Sequence, residues 1–225
     1  MQISVFGATG RVGSRVVDQA IERGLKVKAI SHEDYQTSEP GVTFIKADVL
    51  EDDLAEAVSG SSAVISCLGV DNDPLTLLDP PPLYTEGTLH IATAMKEAGI
   101  DRIAVISASF VETLDRGPVS FRATLPALSL VFKQMEQMEA QLARQEELRW
   151  TAVRPGWILD ADPSDEAVVS DNVIPEDLIR SRTGDIAKLL LDAVAHDRWI
   201  HAKPAVASPE PDEHTSLEAV AHEIV

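Results

Sequence analysis

Short apolar runs rich in β-branched residues alternate along the chain with longer stretches whose apolar positions recur at helical spacing. The runs Ile3–Phe6, Val27–Ile30, Val42–Ile45, Ala63–Ile65, Ile103–Ile106 and Thr151–Val153 predict buried strands. Between them, Arg11 to Arg23 places Val12, Arg15, Val16, Gln19 and Ala20 within one helical span, with Gly24 where a left-handed residue would end it. Asp52 to Val58 predicts a shorter helix closed by Gly60, and Glu86 to Ala98 a longer one closed by Gly99. Phe132, Met135, Met138 and Leu142 form a stripe that a long helix would turn toward a core. Strands alternating with helices imply right-handed crossovers, so the expected fold class is α/β, a doubly wound parallel sheet with helices on both faces.

Two segments break this rhythm: Asp71 to Pro82, which has four prolines and no helix or sheet pattern, and the acidic stretch Leu159 to Pro175. Long loops in such folds lie beside whatever the sheet binds, at the carboxyl ends of its strands. The 225 residues are read as one domain, 1–225, with 158–182 and 204–225 as loop and C-terminal elements on the ligand side. Residues 204–225 either add an edge strand and a helix, for which Ser216 to Ile224 has amphipathic spacing, or hang loosely.

Composition narrows the classes. With 44% hydrophobic and 25% charged residues the chain is globular, and no apolar run approaches the roughly 18 residues of a membrane span. Cys67 is the single cysteine, which excludes intramolecular disulfides and CxxC sites. The opening residues carry no basic region ahead of an apolar stretch, so a cytoplasmic protein is expected. Nineteen Lys and Arg against thirty-seven Asp and Glu give a net charge of −18, which repels nucleic acid and anionic membranes. The six histidines show no paired ligand spacing, so no metal is expected, and neither GxSxG nor GxxxxGK[ST] is present.

Directly after the first strand comes Gly7-Ala8-Thr9-Gly10-Arg11-Val12-Gly13, opening a helix. Gly7 suits the sharp turn out of the strand, Gly10 leaves room for a pyrophosphate, and Gly13 permits close packing of helix on sheet. The free amides and positive dipole end of that helix would hold the phosphates, a local field that the overall negative charge does not cancel.

From Met1 to about Ala207 the chain resembles the atypical short-chain dehydrogenase/reductases of the NmrA-like, NAD(P)-binding group, whose members begin with GATGxxG. Ala47-Asp48-Val49 is similar to the family's adenine-contacting "GD(V/L)", and Cys67-Leu68-Gly69 to its turn beside the ribose. Glu86-Gly87-Thr88 through Ser107 resembles "EGTxNxxxAAxxAGVKRxVxxSS", and Trp150 to Trp157 resembles the "WTIVRPG" strand and turn bordering the nicotinamide. Arg182 to Ala187 is similar to the "R-x-DVA" helix start. The resemblance implies a Rossmann-like fold and a nicotinamide cofactor. Its contacts would be Gly7, Thr9, Gly10, Arg11, Val12, Gly13, His32, Asp48, Val49, Cys67, Leu68, Gly69, Ser107, Lys133, Pro155, Gly156 and Trp157.

The position after the second strand, often arginine in this family, is His32, followed by Glu33 and Asp34. A carboxylate there favours the 2′-hydroxyl of NAD, whereas a cation favours the 2′-phosphate of NADP, to which Arg11 could contribute. The resemblance leans to NADP, with NAD possible. The superfamily's usual proton donor, a tyrosine four residues before a lysine, is missing: Tyr35 and Tyr84 are followed at that spacing by Glu39 and Thr88. Ser107, at the end of the fifth strand, and Lys133, near the family's lysine, are the candidate catalytic residues. Trp157 either walls a flat ligand or packs beneath the C-terminal segment.

These readings converge on an NAD(P)H-dependent oxidoreductase that passes hydride to a small carbonyl, quinone or similar flat acceptor. The alternative is a non-catalytic NAD(P)-binding redox sensor acting through a protein partner. A sugar-nucleotide epimerase is a third and weaker fit, because those resemble longer chains with the tyrosine–lysine pair. A small-molecule substrate, and either a protein partner or a homodimer, are the partners expected.

Overall fold

The structure, a computed structural model, describes residues 1–35, 37–70, 73–113 and 125–215. In chain order its elements are β1 (Gln2–Phe6), α1 (Arg11–Glu22), β2 (Lys26–Ser31), β3 (Val42–Lys46), α2 (Ala55–Val58), β4 (Ala63–Ser66) and α3 (Pro74–Leu78). A π-helical turn, Leu83–Gly87, leads into α4 (Thr88–Glu97), followed by β5 (Arg102–Ile106), a 3₁₀ turn (Ser109–Val111) and α5 (Leu125–Ala143). Then come β6 (Arg149–Pro155), β7 (Trp157–Leu159), β8 (Val168–Asp171), β9 (Arg180–Arg182), α6 (Thr183–Ala195), β10 (Pro204–Ala207) and α7 (Asp212–Thr215).

The main sheet has the order β3-β2-β1-β4-β5-β6-β10-β8, and only β8 runs against its neighbour. The strands read as continuous apolar runs because both faces are covered. Ile103 and Val105 of β5 face the layer of α4 and α5, with Ile91, Met95, Met138 and Leu142, while Ala104 and Ile106 face α1 and α6, with Val16, Ile186 and Leu190. The stripe Phe132, Met135, Met138 and Leu142 is buried as its spacing predicts.

Departures from the expected elements have local causes. The second helix starts at Ala55 rather than Asp52, because the Asp53 carboxylate accepts from the Ala55 amide (2.9 Å) while Asp52 accepts from the Asp48 amide (2.8 Å). Within the proline-rich stretch a short helix does form: Asp73 caps it by accepting from the amides of Leu75 and Thr76, and Pro74 occupies its first turn. Residues 204–207 make an interior strand, between β6 and β8, and the edge is supplied by β8 from the acidic stretch. The proposed amphipathic helix at 216–224 lies outside the described residues.

At the amino end of the sheet, Arg102 is 2% exposed. Its guanidinium donates to the carbonyls of Ile103 (3.0 Å), Arg149, Ala193 (2.8 Å) and Arg198 (2.9 Å), and to the Thr151 hydroxyl (2.8 Å). It thereby satisfies carbonyls at the end of α6 and fixes that helix to β5 and β6, and burial lowers its pKa to about 10. Arg102→Met should leave those carbonyls unsatisfied and lower unfolding free energy by about 3 kcal/mol in urea titrations. A loss below about 1 kcal/mol would show that the clamp is dispensable.

Candidate cofactor site

The three glycines after β1 differ in what the backbone demands of them. Gly7 has φ +69°, and a Cβ there would lie 2.5 Å from the Cys67 carbonyl oxygen. A Cβ on Gly13 would lie 2.0 Å from the Gly7 carbonyl oxygen, so both positions exclude any side chain. Gly10 is different: it is exposed, has φ −73°, and its Cβ would meet only the Gly7 carbonyl, at 3.3 Å. A side chain there would be tight against that backbone oxygen but not excluded as at Gly7 and Gly13, and the space beside it faces outward.

Gly10 is also the N-cap of α1, where no side chain accepts from the helix amides and no acidic residue sits in the first turn. The first helical hydrogen bond runs from the Ser14 amide to the Gly10 carbonyl (2.9 Å), so the amides of Arg11, Val12 and Gly13 lack intrahelical acceptors. Arg11 adds an exposed cation at the positive end of the helix dipole, unfavourable unless an anion is bound. Thr9 meets Ser31 at the end of β2, hydroxyl to hydroxyl at 2.9 Å, which holds the turn to the neighbouring strand. This cradle fits a diphosphate.

Parallel registry brings the other predicted contacts to the same edge. Phe6 is opposite Ile30 and Ser66, and Ser66 is opposite Val105, so Gly7, His32, Cys67 and Ser107 all follow the strand ends together. His32 is exposed. Asp48 accepts from the Leu50 amide (2.8 Å), turning its carboxylate into its own loop, and Val49 is buried where a Cβ on Gly87 would lie 2.9 Å from it. Burial pushes the Cys67 thiol well above its usual range, leaving a neutral, inert wall, while Leu68 is partly buried and Gly69 exposed. Pro155 and Gly156 are buried; a Cβ on Gly156 would lie 2.3 Å from the Ile179 carbonyl oxygen. Trp157 is partly buried against Phe110, with ring centroids 5.3 Å apart, and Phe110 packs on Phe132 at 5.6 Å.

Ser107 and Lys133 are not brought together as a catalytic pair. Ser107 is 1% exposed and its hydroxyl donates to Glu139 Oε1 (2.6 Å), whereas Lys133 lies on the exposed face of α5. Glu139, on the buried face of α5, was not among the predicted residues. Arg154 grips it with two hydrogen bonds, Nε to Oε1 (2.8 Å) and Nη2 to Oε2 (2.5 Å), and Lys203 lies 3.1 Å from Oε2. Arg154 also reaches Glu112 (2.6 Å) and the Asn172 carbonyl (3.0 Å). A charge between Met138 and Leu142 on an apolar stripe was the available signal, since buried carboxylates need partners.

The NAD(P)H-binding family's sequence profile matches residues 7–197. This chain belongs to that family. An uncharacterised chloroplastic protein of Arabidopsis thaliana is 28% identical over 205 residues, 86% of this chain and 70% of the relative. The Lactococcus lactis oxidoreductase ylbE superposes with a TM-score of 0.76 at 19% identity, over 99% of this chain and 96% of that one. A Streptococcus pneumoniae protein described as a candidate NADH-flavin reductase gives 0.72 at 21% identity, covering 93% of this chain and all (100%) of the other. These structures share the Rossmann-like fold, and the family membership accords with an atypical short-chain dehydrogenase/reductase. No helix among the described residues is long and apolar enough to cross a membrane.

Burial opposes charge on Glu139, but hydrogen bonds from Arg154 and Ser107 and the charges of Arg154 and Lys203 outweigh it, holding the carboxyl below its usual range. Stability from such a lowered pKa is fully present above the unfolded value, about 4.3, and is lost as pH falls through the lower folded value. Glu139→Gln should therefore cost about 3 kcal/mol at pH 7, the gap to wild type closing below about pH 4 in urea titrations. A gap that stays constant down to pH 3, or widens, would contradict an ionised Glu139.

Proposed function

We propose that the protein is an NAD(P)H-dependent oxidoreductase that passes hydride to a small carbonyl, quinone or similar flat acceptor, with NADP the preferred cofactor. The observation that carries this reading is the uncapped N-terminus of α1, led by an exposed Gly10, the glycine of the turn least confined by neighbouring backbone. The nicotinamide nucleotide, when bound, supplies the hydride chemistry. The chain's own part is to hold the diphosphate on the amides of residues 11–13, to line the edge with Leu68 and Gly69, and to close the far side with Trp157 and Phe110. An aromatic wall of this kind suits a flat acceptor. The family membership and the names of oxidoreductase neighbours support the class of activity.

Protonation falls to water in this reading. Burial raises the Tyr84 phenol to about 12, and the Ser107 hydroxyl already donates its hydrogen bond to the Glu139 carboxylate. A second reading, an NAD(P)-binding redox sensor acting through a protein partner, is favoured by that same engagement of Ser107. The net charge of −18 disfavours nucleic acid and anionic membranes as partners, and a single, buried cysteine suits a cytoplasmic setting.

Calorimetry with NADPH and NADH, followed by NADPH oxidation against a panel of quinones and aldehydes, tests both readings. The wild type should bind, and Gly10→Val should lose at least about a hundredfold in affinity, about 2.7 kcal/mol, while melting within a few degrees of wild type. Gly10→Ala, a smaller intrusion, should lose less. Unchanged affinity in both variants would overturn the site; binding without turnover on any acceptor would leave the sensor.

A further inference from the structure

The corner of the sheet beside the glycine turn carries a cation that the loop after β2 does not supply. Ser31, the last residue of β2, is in register with Lys46, the last residue of β3, and the Ala47 amide donates to the Ser31 carbonyl (2.9 Å). The same Ser31 meets Thr9 of the glycine turn. Val42 and Phe44, four and two positions before Lys46 on the same face of β3, pack against the core layer that contains α1. Lys46 is thereby delivered to the end of β2 on the side where α1 begins.

There its ammonium lies 2.8 Å from Asp34 Oδ2, in an ion pair whose side chains are 54% and 86% exposed. The segment carrying Asp34 is steadied by Tyr35, whose ring meets Phe44 edge-on at 5.8 Å, and by the Glu33 amide, which donates to the Ser31 hydroxyl (3.2 Å). Without Lys46 the corner would present Glu33, Asp34 and a histidine. Such a surface would accept hydrogen bonds from a ribose diol and repel a phosphate of about two negative charges.

We propose that Lys46 is the specificity-determining residue that takes the 2′-phosphate of NADP, and that Asp34 competes with that phosphate for the same ammonium. The inference rests on the nucleotide-binding reading above. An exposed ion pair contributes little to stability, so Lys46 can exchange its carboxylate for a phosphate with little loss to the fold. The pairing also explains how an acidic loop can coexist with NADP binding. Asp34 masks the cation when no phosphate is present, which tempers the preference for NADP without abolishing it.

The test is calorimetric binding of NADP⁺ and NAD⁺, with 2′,5′-ADP as a probe of the phosphate alone. Lys46→Gln should weaken NADP⁺ and 2′,5′-ADP by at least about tenfold and leave NAD⁺ within about twofold, and Lys46→Arg should restore NADP⁺. Asp34→Asn should tighten NADP⁺ several-fold with NAD⁺ unchanged. Equal losses for both nucleotides in Lys46→Gln, or an NADP⁺ affinity that ignores the substitution, would overturn the assignment while leaving the site itself standing. Failure of the wild type to bind either nucleotide would instead remove the site, and this assignment with it.

Discussion

At the turn from β1 into α1, two stretches of backbone pass so close that no side chain fits between them: Gly13 rides on the carbonyl of Gly7, and Gly7 on that of Cys67. Closeness of this order locks the start of α1 to the ends of β1 and β4, and the Thr9–Ser31 contact extends the lock to β2. Helix amides that would otherwise face solvent at random are fixed over the carboxyl edge of three adjacent strands. Because those strands are parallel, their other end residues arrive at the same level without further arrangement. The candidate site therefore follows from backbone packing first and from side chains second.

The opposite flank depends on ionic rather than steric constraint. Glu139 joins α5 to β6 through Arg154 and to the start of β10 through Lys203, and it receives the Ser107 hydroxyl from the end of β5. Desolvating such groups is tolerable only because each carboxylate oxygen has partners. The engagement of Ser107 bears on the chemistry available, because its hydroxyl already donates its hydrogen bond to a buried carboxylate. Rigid glycine packing on one side and a satisfied charge cluster on the other frame an edge finished by Phe110 and Trp157.

Much of this frame was legible in the chain. The six main strands are β-branched runs long enough to identify, and Gly24, Gly60 and Gly99 end their helices with φ +71° as left-handed residues should. The glycine turn was legible because its residues act through local backbone geometry. By contrast β7 and β9 have three residues each and β8 and β10 four, too few to show a period, and β9 reads Arg-Ser-Arg although Arg180 and Ser181 are buried. Ion-pair partners were not legible either. Glu139 and Arg154 are separated by a helix end and a strand, and Lys46 meets Asp34 only through strand register, a tertiary choice that neither residue encodes alone.

The amides of α1 offer the most direct measurement. In ¹⁵N-resolved NMR of the full chain, adding ADP-ribose should shift the backbone resonances of Arg11 to Gly13 and slow their hydrogen exchange, because the diphosphate becomes their acceptor. AMP, which lacks the second phosphate, should shift them less. Resonances from that turn that stay in place and exchange at unchanged rates while ADP-ribose saturates the protein elsewhere would contradict the account.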